Sequence, residues 1–170
     1  MKVRPLYKLA VVILTGIAIS SCKDKPVYPS EPVIAYKDFI RYGNPSSPDS
    51  VELVVSFTDN EGDIGLDQAD TLGDFKKGNF CMIPFFPDTV TAGLWIPFDD
   101  LATAALDTFK VFYRVPPVLP DGDPSEPMKG LIYVKQSDFE VIVPKIMYKA
   151  YMYDKAKHKS NTIETPPIVF

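Results

Sequence analysis

Apolar and polar positions alternate in short runs along the chain, and no segment shows a sustained helical stripe. Apolar side chains at every second position are typical of a strand with one buried face. The run Ser50–Asp59 is the clearest case, since Val51, Leu53, Val55 and Phe57 lie on one of its faces. Pro, Gly, Asn and Asp, the usual turn residues, separate such runs. The pattern therefore predicts an all-β chain.

Eight segments have this strand pattern. They are Val33–Gly43, Ser50–Asp59, Asn79–Phe86, Ala92–Phe98, Thr108–Pro116, Gly130–Gln136, Phe139–Asp154 and Asn161–Phe170. Pro144 is expected to break or bulge the long seventh segment, because proline donates no ladder hydrogen bond. The only predicted helix is a turn or two at Asp99–Asp107, with an aspartate cap. Seven to eight short strands joined by turns predict an antiparallel sandwich or a barrel.

The N-terminus has the pattern of an export signal. Three basic residues precede the apolar run Leu9–Ile19, which is too short for a bilayer that needs roughly 20 apolar residues. The sequence ISSC then ends at Cys22 and resembles the lipobox of bacterial lipoproteins, whose cysteine carries the lipid. We therefore expect residues 1–21 to be a signal peptide and Cys22 to be lipidated. An ordinary secretory signal with a chance cysteine is the alternative.

The rest of the chain divides into a short linker and one domain. Residues 22–32 are polar and contain three prolines, which predicts an extended tether. Residues 33–170 suit a single β domain. The formal net charge is −4, and loss of the basic signal peptide makes the remainder more acidic. This charge argues against nucleic acid and against adhesion to an anionic membrane surface, so the lipid should provide the membrane contact.

Catalytic chemistry finds little support in the sequence. Cys81, the only cysteine besides Cys22, lies in an apolar run and is expected to be a buried, inert thiol. The single histidine, His158, lies among three lysines that should keep it neutral, and no serine or cysteine nucleophile is associated with it. Asp99 and Asp100 could be paired carboxylates for sugar hydrolysis, but a helix cap explains them better. We therefore expect no enzyme.

Two motifs occurring together resemble a known group of proteins. FTDNEGDIGL (Phe57–Leu66) follows a strand, and YMYDKAKHKSNTIETPPI (Tyr151–Ile168) stands near the C-terminus. Together with YRVPPVLPDG (Tyr113–Gly122), they resemble uncharacterised Bacteroidota-type outer-membrane lipoproteins with an immunoglobulin-like β-sandwich. His158 stands where that group usually has Asn. The resemblance implies an immunoglobulin-like sandwich at the outer membrane, on its periplasmic face or the cell surface, and no particular activity.

An acidic stretch supplies the candidate metal ligands. No Lys or Arg occurs between Tyr42 and Phe75, and the candidate calcium ligands there are Asp59, Glu61, Asp63, Asp67 and Asp70. Counted from Asp59, their spacing matches positions of an EF-hand loop. Ile64 stands where that loop needs glycine, however, and the preceding segment is a predicted strand. The stretch is therefore no EF-hand.

Two interpretations of this stretch stay open. The preferred one is a tight turn, in which Gly62 and Gly65 allow positive φ while Asp59 and Asp63 accept backbone N–H bonds. Ile64 and Leu66 would then return to the core. The other is a looser Ca²⁺ loop at one end of the sandwich.

The aromatic residues Phe85, Phe86 and Trp95 form the last candidate site. Exposed together, they would offer a patch for a partner or a glycan ring. The function expected first is a non-catalytic, membrane-anchored lipoprotein that acts as an interaction or accessory module of the cell envelope. A glycan-binding accessory lipoprotein is the alternative, and an envelope enzyme comes third.

Overall fold

The chain folds into two antiparallel β-sheets that face each other across one apolar core. The structure, a computed structural model, describes residues 26–70, 72–99, 107–117 and 126–170. The expected signal peptide, the lipidation of Cys22 and most of the expected helix, residues 100–106, lie outside the described residues. Within the described ranges, no helix is long and apolar enough to cross a bilayer.

Among the described residues, nine strands make up the two sheets. They are β1 (Val33–Asn44), β2 (Ser47–Asp59), β3 (Phe80–Pro87), β4 (Trp95–Pro97), β5 (Val111–Tyr113), β6 (Met128–Ser137), β7 (Lys145–Met152), β8 (Ile163–Glu164) and β9 (Ile168–Val169). A single 3₁₀ turn at Gly73–Phe75 lies between β2 and β3. The all-β prediction is confirmed.

The strand order identifies the type of sandwich. The smaller sheet has the order β1-β2-β6, and the larger one has β4-β3-β7-β8, with β5 also paired to β3 and β9 to β7. With β1, β2 and β6 as strands A, B and E, and β3, β7 and β8 as C, F and G, this is the arrangement of an immunoglobulin-like sandwich. Of the two architectures that the strand pattern left open, the chain adopts the sandwich.

Alternating side chains build the core as the pattern of β2 predicted. Leu53, Val55 and Phe57 are buried together with Val51 on the same strand. They belong to one apolar cluster with Phe80 and other inward side chains of β3 and β7. Burial of apolar surface at about 25 cal/mol per Å² is the main force holding the sheets together.

The predicted boundaries fail where proline or a polar side chain interrupts the ladder. Residues 139–144 are not strand, and β7 begins after Pro144, whose carbonyl accepts a bond from Phe170 N at 3.0 Å. The last predicted strand is split into β8 and β9. Thr165 Oγ1 accepts the N–H of Tyr148 at 3.0 Å there, and the next two residues are prolines without N–H groups.

The two ends of the sandwich differ in chemistry. At one end, the tether residues meet the loop after β2: Tyr28 N donates to Asn60 Oδ1 at 3.3 Å, and Ser30 Oγ donates to Glu61 Oε1 at 3.0 Å. We call this the tether end. The opposite end contains the start of β2 and β7 and the end of β3.

A buried asparagine holds the loops of the tether end together. Asn79 Nδ2 donates to the carbonyls of Ile64 at 2.7 Å and Tyr153 at 2.8 Å, while its Oδ1 accepts from Val115 N at 3.0 Å. The side chain is almost fully buried. It therefore satisfies backbone groups of three segments that lack strand partners at these positions.

We predict that Asn79→Ala lowers the free energy of unfolding by about 3 kcal/mol or more. The substitution leaves several buried polar groups without a hydrogen-bond partner, at a cost of roughly 1–3 kcal/mol each. Urea unfolding measures this change. The control is Asn44→Ala, since the exposed Asn44 side chain accepts a local turn bond from Ser46 N. Asn44→Ala should lower the free energy of unfolding by about 1 kcal/mol or less. Equal costs for the two variants would contradict the role given to Asn79.

Candidate metal centre at the tether end

A buried aspartate organises the turn that follows β2. Asp59 is the last residue of β2 and is 0% exposed. Its Oδ2 accepts the backbone N–H of Gly62 at 2.6 Å and that of Asp63 at 3.1 Å. Gly62 has φ 69°, in the left-handed region that favours glycine. The local sequence therefore folds into a tight turn closed by one carboxylate oxygen.

The residues after this turn return to the core. Ile64 and Leu66 are fully buried, as predicted. Gly65 serves a different purpose from the expected positive φ: a Cβ there would lie 2.5 Å from Pro117 Cα and 2.6 Å from Pro116 O. Glycine is needed because two backbone segments approach closely at this point. The preferred turn interpretation is thus confirmed, with a corrected reason for Gly65.

Asp154 joins the turn from the other end of the sequence. This residue follows β7, is fully buried, and accepts the His158 backbone N–H at 2.7 Å. Lys155 N donates to the carbonyl of Asp63 at 3.1 Å, which ties the two segments together. As a result, one carboxylate oxygen each of Asp59, Asp63 and Asp154 lies within 4.8 Å of the other two. We call these three residues the Asp cluster.

Several oxygens in and beside the Asp cluster have no hydrogen-bond partner. Among the described residues, the buried side-chain atoms without a partner are Asp59 Oδ1, Asp63 Oδ1 and Glu61 Oε2. A buried unsatisfied polar atom costs roughly 1–3 kcal/mol, and more when the group is charged. Two members of the Asp cluster thus have a buried oxygen without a partner, an arrangement that a cation would stabilise.

Burial and mutual repulsion make the carboxylates hard to ionise. Burial raises the pKa of Asp59 to about 6, against the lowering effect of its two backbone donors; the charges of Asp63 and Asp154 raise it further. The pKa of Asp63 is also raised, first by burial and then by the charge of Asp154. The Asp cluster therefore carries electrostatic strain that a divalent cation would relieve.

His158 behaves opposite to the expectation from its lysine neighbours. Its Nδ1 lies 2.9 Å from Asp154 Oδ2, and this hydrogen bond raises the pKa of the imidazole. The expectation that the lysines keep His158 neutral left this contact out, because a carboxylate 2.9 Å from the ring was not visible in the sequence. The ring orients the Asp154 carboxylate from its exposed side.

Three of the sequence-predicted ligands, Glu61, Asp67 and Asp70, lie outside the Asp cluster. Asp67 Oδ2 is bound to Lys155 Nζ at 2.6 Å, and Asp70 Oδ2 accepts the N–H of Asp67 at 2.9 Å. Arg114 further secures this segment by donating to the carbonyls of Asp67 and Asp70. Asp67 and Asp70 thus build a neighbouring surface turn, while Asp154 takes the place in the cluster that sequence spacing could not assign.

The aromatic candidates do not meet on one surface. Phe85 and Trp95 lie on the outer face of the larger sheet, whereas Phe86 points inward and packs against the core. Lys149 Nζ lies 4.8 Å from the ring centroid of Phe85, and Lys145 Nζ lies 5.7 Å from that of Trp95. Both exposed ring faces are therefore already covered by ammonium groups.

The remaining candidates are Cys81 and the pair Asp99 and Asp100. Cys81 is buried, as expected, and burial raises the pKa of its thiol. Asp99 pairs with Thr108 in an isolated β-bridge, and Asp100 lies outside the described residues. Neither Cys81 nor Asp99 belongs to the Asp cluster.

Comparison with known proteins finds no match: no family model, no curated protein and no solved structure is significantly similar to this chain. Functional inference therefore depends on the residues and their geometry.

We predict that, with chelator present, the free energy of unfolding rises as the pH falls from about 7 to about 4. The folded-state pKa of Asp59, about 6, exceeds its ordinary value of 3.8, so the folded protein binds the proton more tightly than the unfolded chain. A shift of this size corresponds to about 2–3 kcal/mol.

Urea unfolding at several pH values measures this effect, and Asp59→Asn should remove most of the rise. If the free energy of unfolding changes with pH equally in the wild type and in Asp59→Asn, the pKa of Asp59 is not raised in the folded state.

Proposed function

We propose that the protein is a non-catalytic, lipid-anchored interaction module of the cell envelope, whose Asp cluster binds one Ca²⁺ ion. The observation that carries the calcium site is the convergence of buried, unpartnered carboxylate oxygens from Asp59 and Asp63 beside Asp154. The anchor rests on the sequence ISSC at Cys22.

The donor chemistry of the Asp cluster matches calcium. Ca²⁺ takes six to eight oxygen ligands at about 2.3–2.6 Å, so two ligands on opposite sides of the ion lie up to about 5 Å apart. The cluster oxygens lie within 4.8 Å of one another, a separation compatible with this range. Glu61 Oε2, also buried and unpartnered, is a further oxygen donor in the same loop. Water would complete the coordination.

Calcium at this position would join three parts of the tether end. The ion would add a further link between the loop after β2 and the turn after β7, which are already joined by the bond from Lys155 N to Asp63 O and by the Lys155–Asp67 ion pair. Through Glu61, whose other oxygen accepts from Ser30, it would also steady the tether. Extracellular modules bind Ca²⁺ at about 10⁻⁴–10⁻³ M, an affinity suited to a permanently loaded structural site.

The two motifs that resemble Bacteroidota-type lipoproteins supply the ligands of this site. Asp59 and Asp63 belong to FTDNEGDIGL, and Asp154 belongs to the motif YMYDKAKHKSN. A shared cation site gives a physical reason for these two motifs to occur together. We accordingly place the protein at the outer membrane, with an envelope protein as its partner.

The tether sets the orientation of such a module. Residues 22–32 span at most about 35 Å when extended, and they reach the sandwich beside the Asp cluster. With Cys22 in the membrane, the tether end faces the lipid and the opposite end faces away from it. The glycan-binding alternative receives no support of this kind, since lysines cover the rings of Phe85 and Trp95.

We predict that millimolar Ca²⁺ raises the melting temperature of the wild type by several degrees over the chelated protein. Binding to the native state alone adds about 1.4 kcal/mol at a tenfold excess of Ca²⁺ over Kd. Asp59→Asn should be more stable than the wild type in chelator, because it removes a buried charge. It should show little or no gain with Ca²⁺.

The matched control is Asp67→Asn, which alters the same acidic stretch. Asp67 lies outside the Asp cluster and pairs with Lys155. Asp67→Asn should keep the full calcium gain. The calcium site is refuted by an unchanged melting temperature at millimolar Ca²⁺, or by equal calcium responses in the two variants.

We predict that labelled palmitate is incorporated into the wild type and not into Cys22→Ser. The control variant Cys81→Ala should retain the label, since Cys81 is buried in the core. Label in Cys22→Ser would refute the anchor and leave the calcium site untouched. Protease shaving of intact cells then separates the cell surface from the periplasmic face.

A further inference from the structure

An apolar cavity occupies the end of the sandwich opposite the tether. Its volume is about 210 Å³, and it opens to the surface on one side. Its lining is almost wholly hydrophobic and includes the five rings of Phe86, Phe98, Phe109, Phe139 and Phe170. The cavity lies between the sheets where the core cluster ends, and Ile146 belongs to both.

Backbone bonds at the cavity hold the segments that form its wall. Phe139 N donates to Asp49 O at 3.1 Å, and Phe170 N donates to Pro144 O at 3.0 Å. Phe109 N donates to Phe98 O at 2.8 Å. The rings therefore stand on anchored backbone, so the cavity is a built feature of the fold.

The aromatic rings form two groups with defined geometry. Phe98 meets Phe86 edge-on at 5.3 Å and Phe109 edge-on at 5.8 Å between centroids. Phe139 and Phe170 form a separate pair at 5.3 Å with a 38° tilt. Ring edges carry positive and ring faces negative partial charge, so such walls favour another ring over an aliphatic chain of equal area.

The described lining of the cavity offers no cation to an anion. Among the described residues, Glu140 is the only charged side chain in the lining. Arg41 lies nearby, with its guanidinium 5.7 Å from the centroid of Phe170, and it donates to Val169 O at 2.8 Å. A carboxylate or phosphate entering the cavity would therefore lose its water without gaining a cationic partner from the described lining.

We propose that this cavity binds a small uncharged aromatic molecule. An apolar cavity of about 150 Å³ holds benzene, so one of 210 Å³ accommodates a single ring with a short substituent. Partly open apolar pockets of this kind bury most of the surface of a small ligand. The site depends neither on calcium nor on the lipid anchor, and it lies at the end of the module that faces away from the tether.

Fluorine NMR of 4-fluorotoluene with the full-length protein in lipid nanodiscs tests the proposal, with empty nanodiscs as background. We expect line broadening beyond that background. Val143→Phe, which fills the cavity, should weaken binding roughly tenfold or more. The matched control Val90→Phe introduces the same side chain at a residue that is 90% exposed and outside the cavity, and it should bind as the wild type does. The anion 4-fluorobenzoate should bind at least about tenfold more weakly.

Because overpacking is destabilising and Val143→Phe could unfold the protein, Val111→Phe provides a second variant with a filled cavity. A third measurement needs no variant: toluene should show NOE contacts to the methyl groups of Ile142, Val143 and Ile146. No broadening beyond empty nanodiscs, equal binding by folded Val143→Phe, or NOE contacts only elsewhere would overturn the proposal. Stronger binding of 1-fluorohexane than of 4-fluorotoluene would overturn its aromatic specificity.

Discussion

The carboxylate of Asp59 is the constraint on which the tether end depends. A buried carboxylate is tolerated only when hydrogen bonds or a cation offset its lost hydration. The N–H groups of Gly62 and Asp63 satisfy one oxygen and thereby shape the turn. The same turn sends Ile64 into the core and aims Asp63 at Asp154. The second oxygen stays unpartnered, so one residue both completes the fold locally and creates the demand for a ligand.

The sandwich separates two kinds of chemistry by placing them at its two ends. Its strands satisfy their backbone groups in the ladders and bury their alternate side chains, which leaves the connections free to specialise. At the tether end, the connections concentrate carboxylates and hold the linker. At the opposite end, rings carried by β3, the segment before β7 and the C-terminus surround an apolar cavity. A rigid core between the two ends keeps their positions fixed relative to each other.

Local periodicity predicted the long strands of both sheets but not the division of the chain into its shortest strands. The inward face predicted for β2 is buried, whereas β3 and β7 bury consecutive residues, so side chains on both of their faces are covered. β5, β8 and β9 have only two or three residues, and their pairing depends on neighbours distant in sequence. His158 shows the same limit in electrostatics, because the lysines beside it in sequence matter less than the carboxylate that it contacts.

The sequence by itself determined the all-β class, the inward face of β2 and the tight turn after Asp59, because each follows from interactions among residues a few positions apart. It also indicated the acidic stretch that holds two of the three clustered carboxylates. Only the tertiary structure decided which carboxylates meet. Asp154 reaches Asp63 where the bond from Lys155 N to Asp63 O joins the two segments, while Asp67 pairs with Lys155 instead. The cavity likewise exists only after folding, since its rings come from segments whose approach is set by how the two sheets pack.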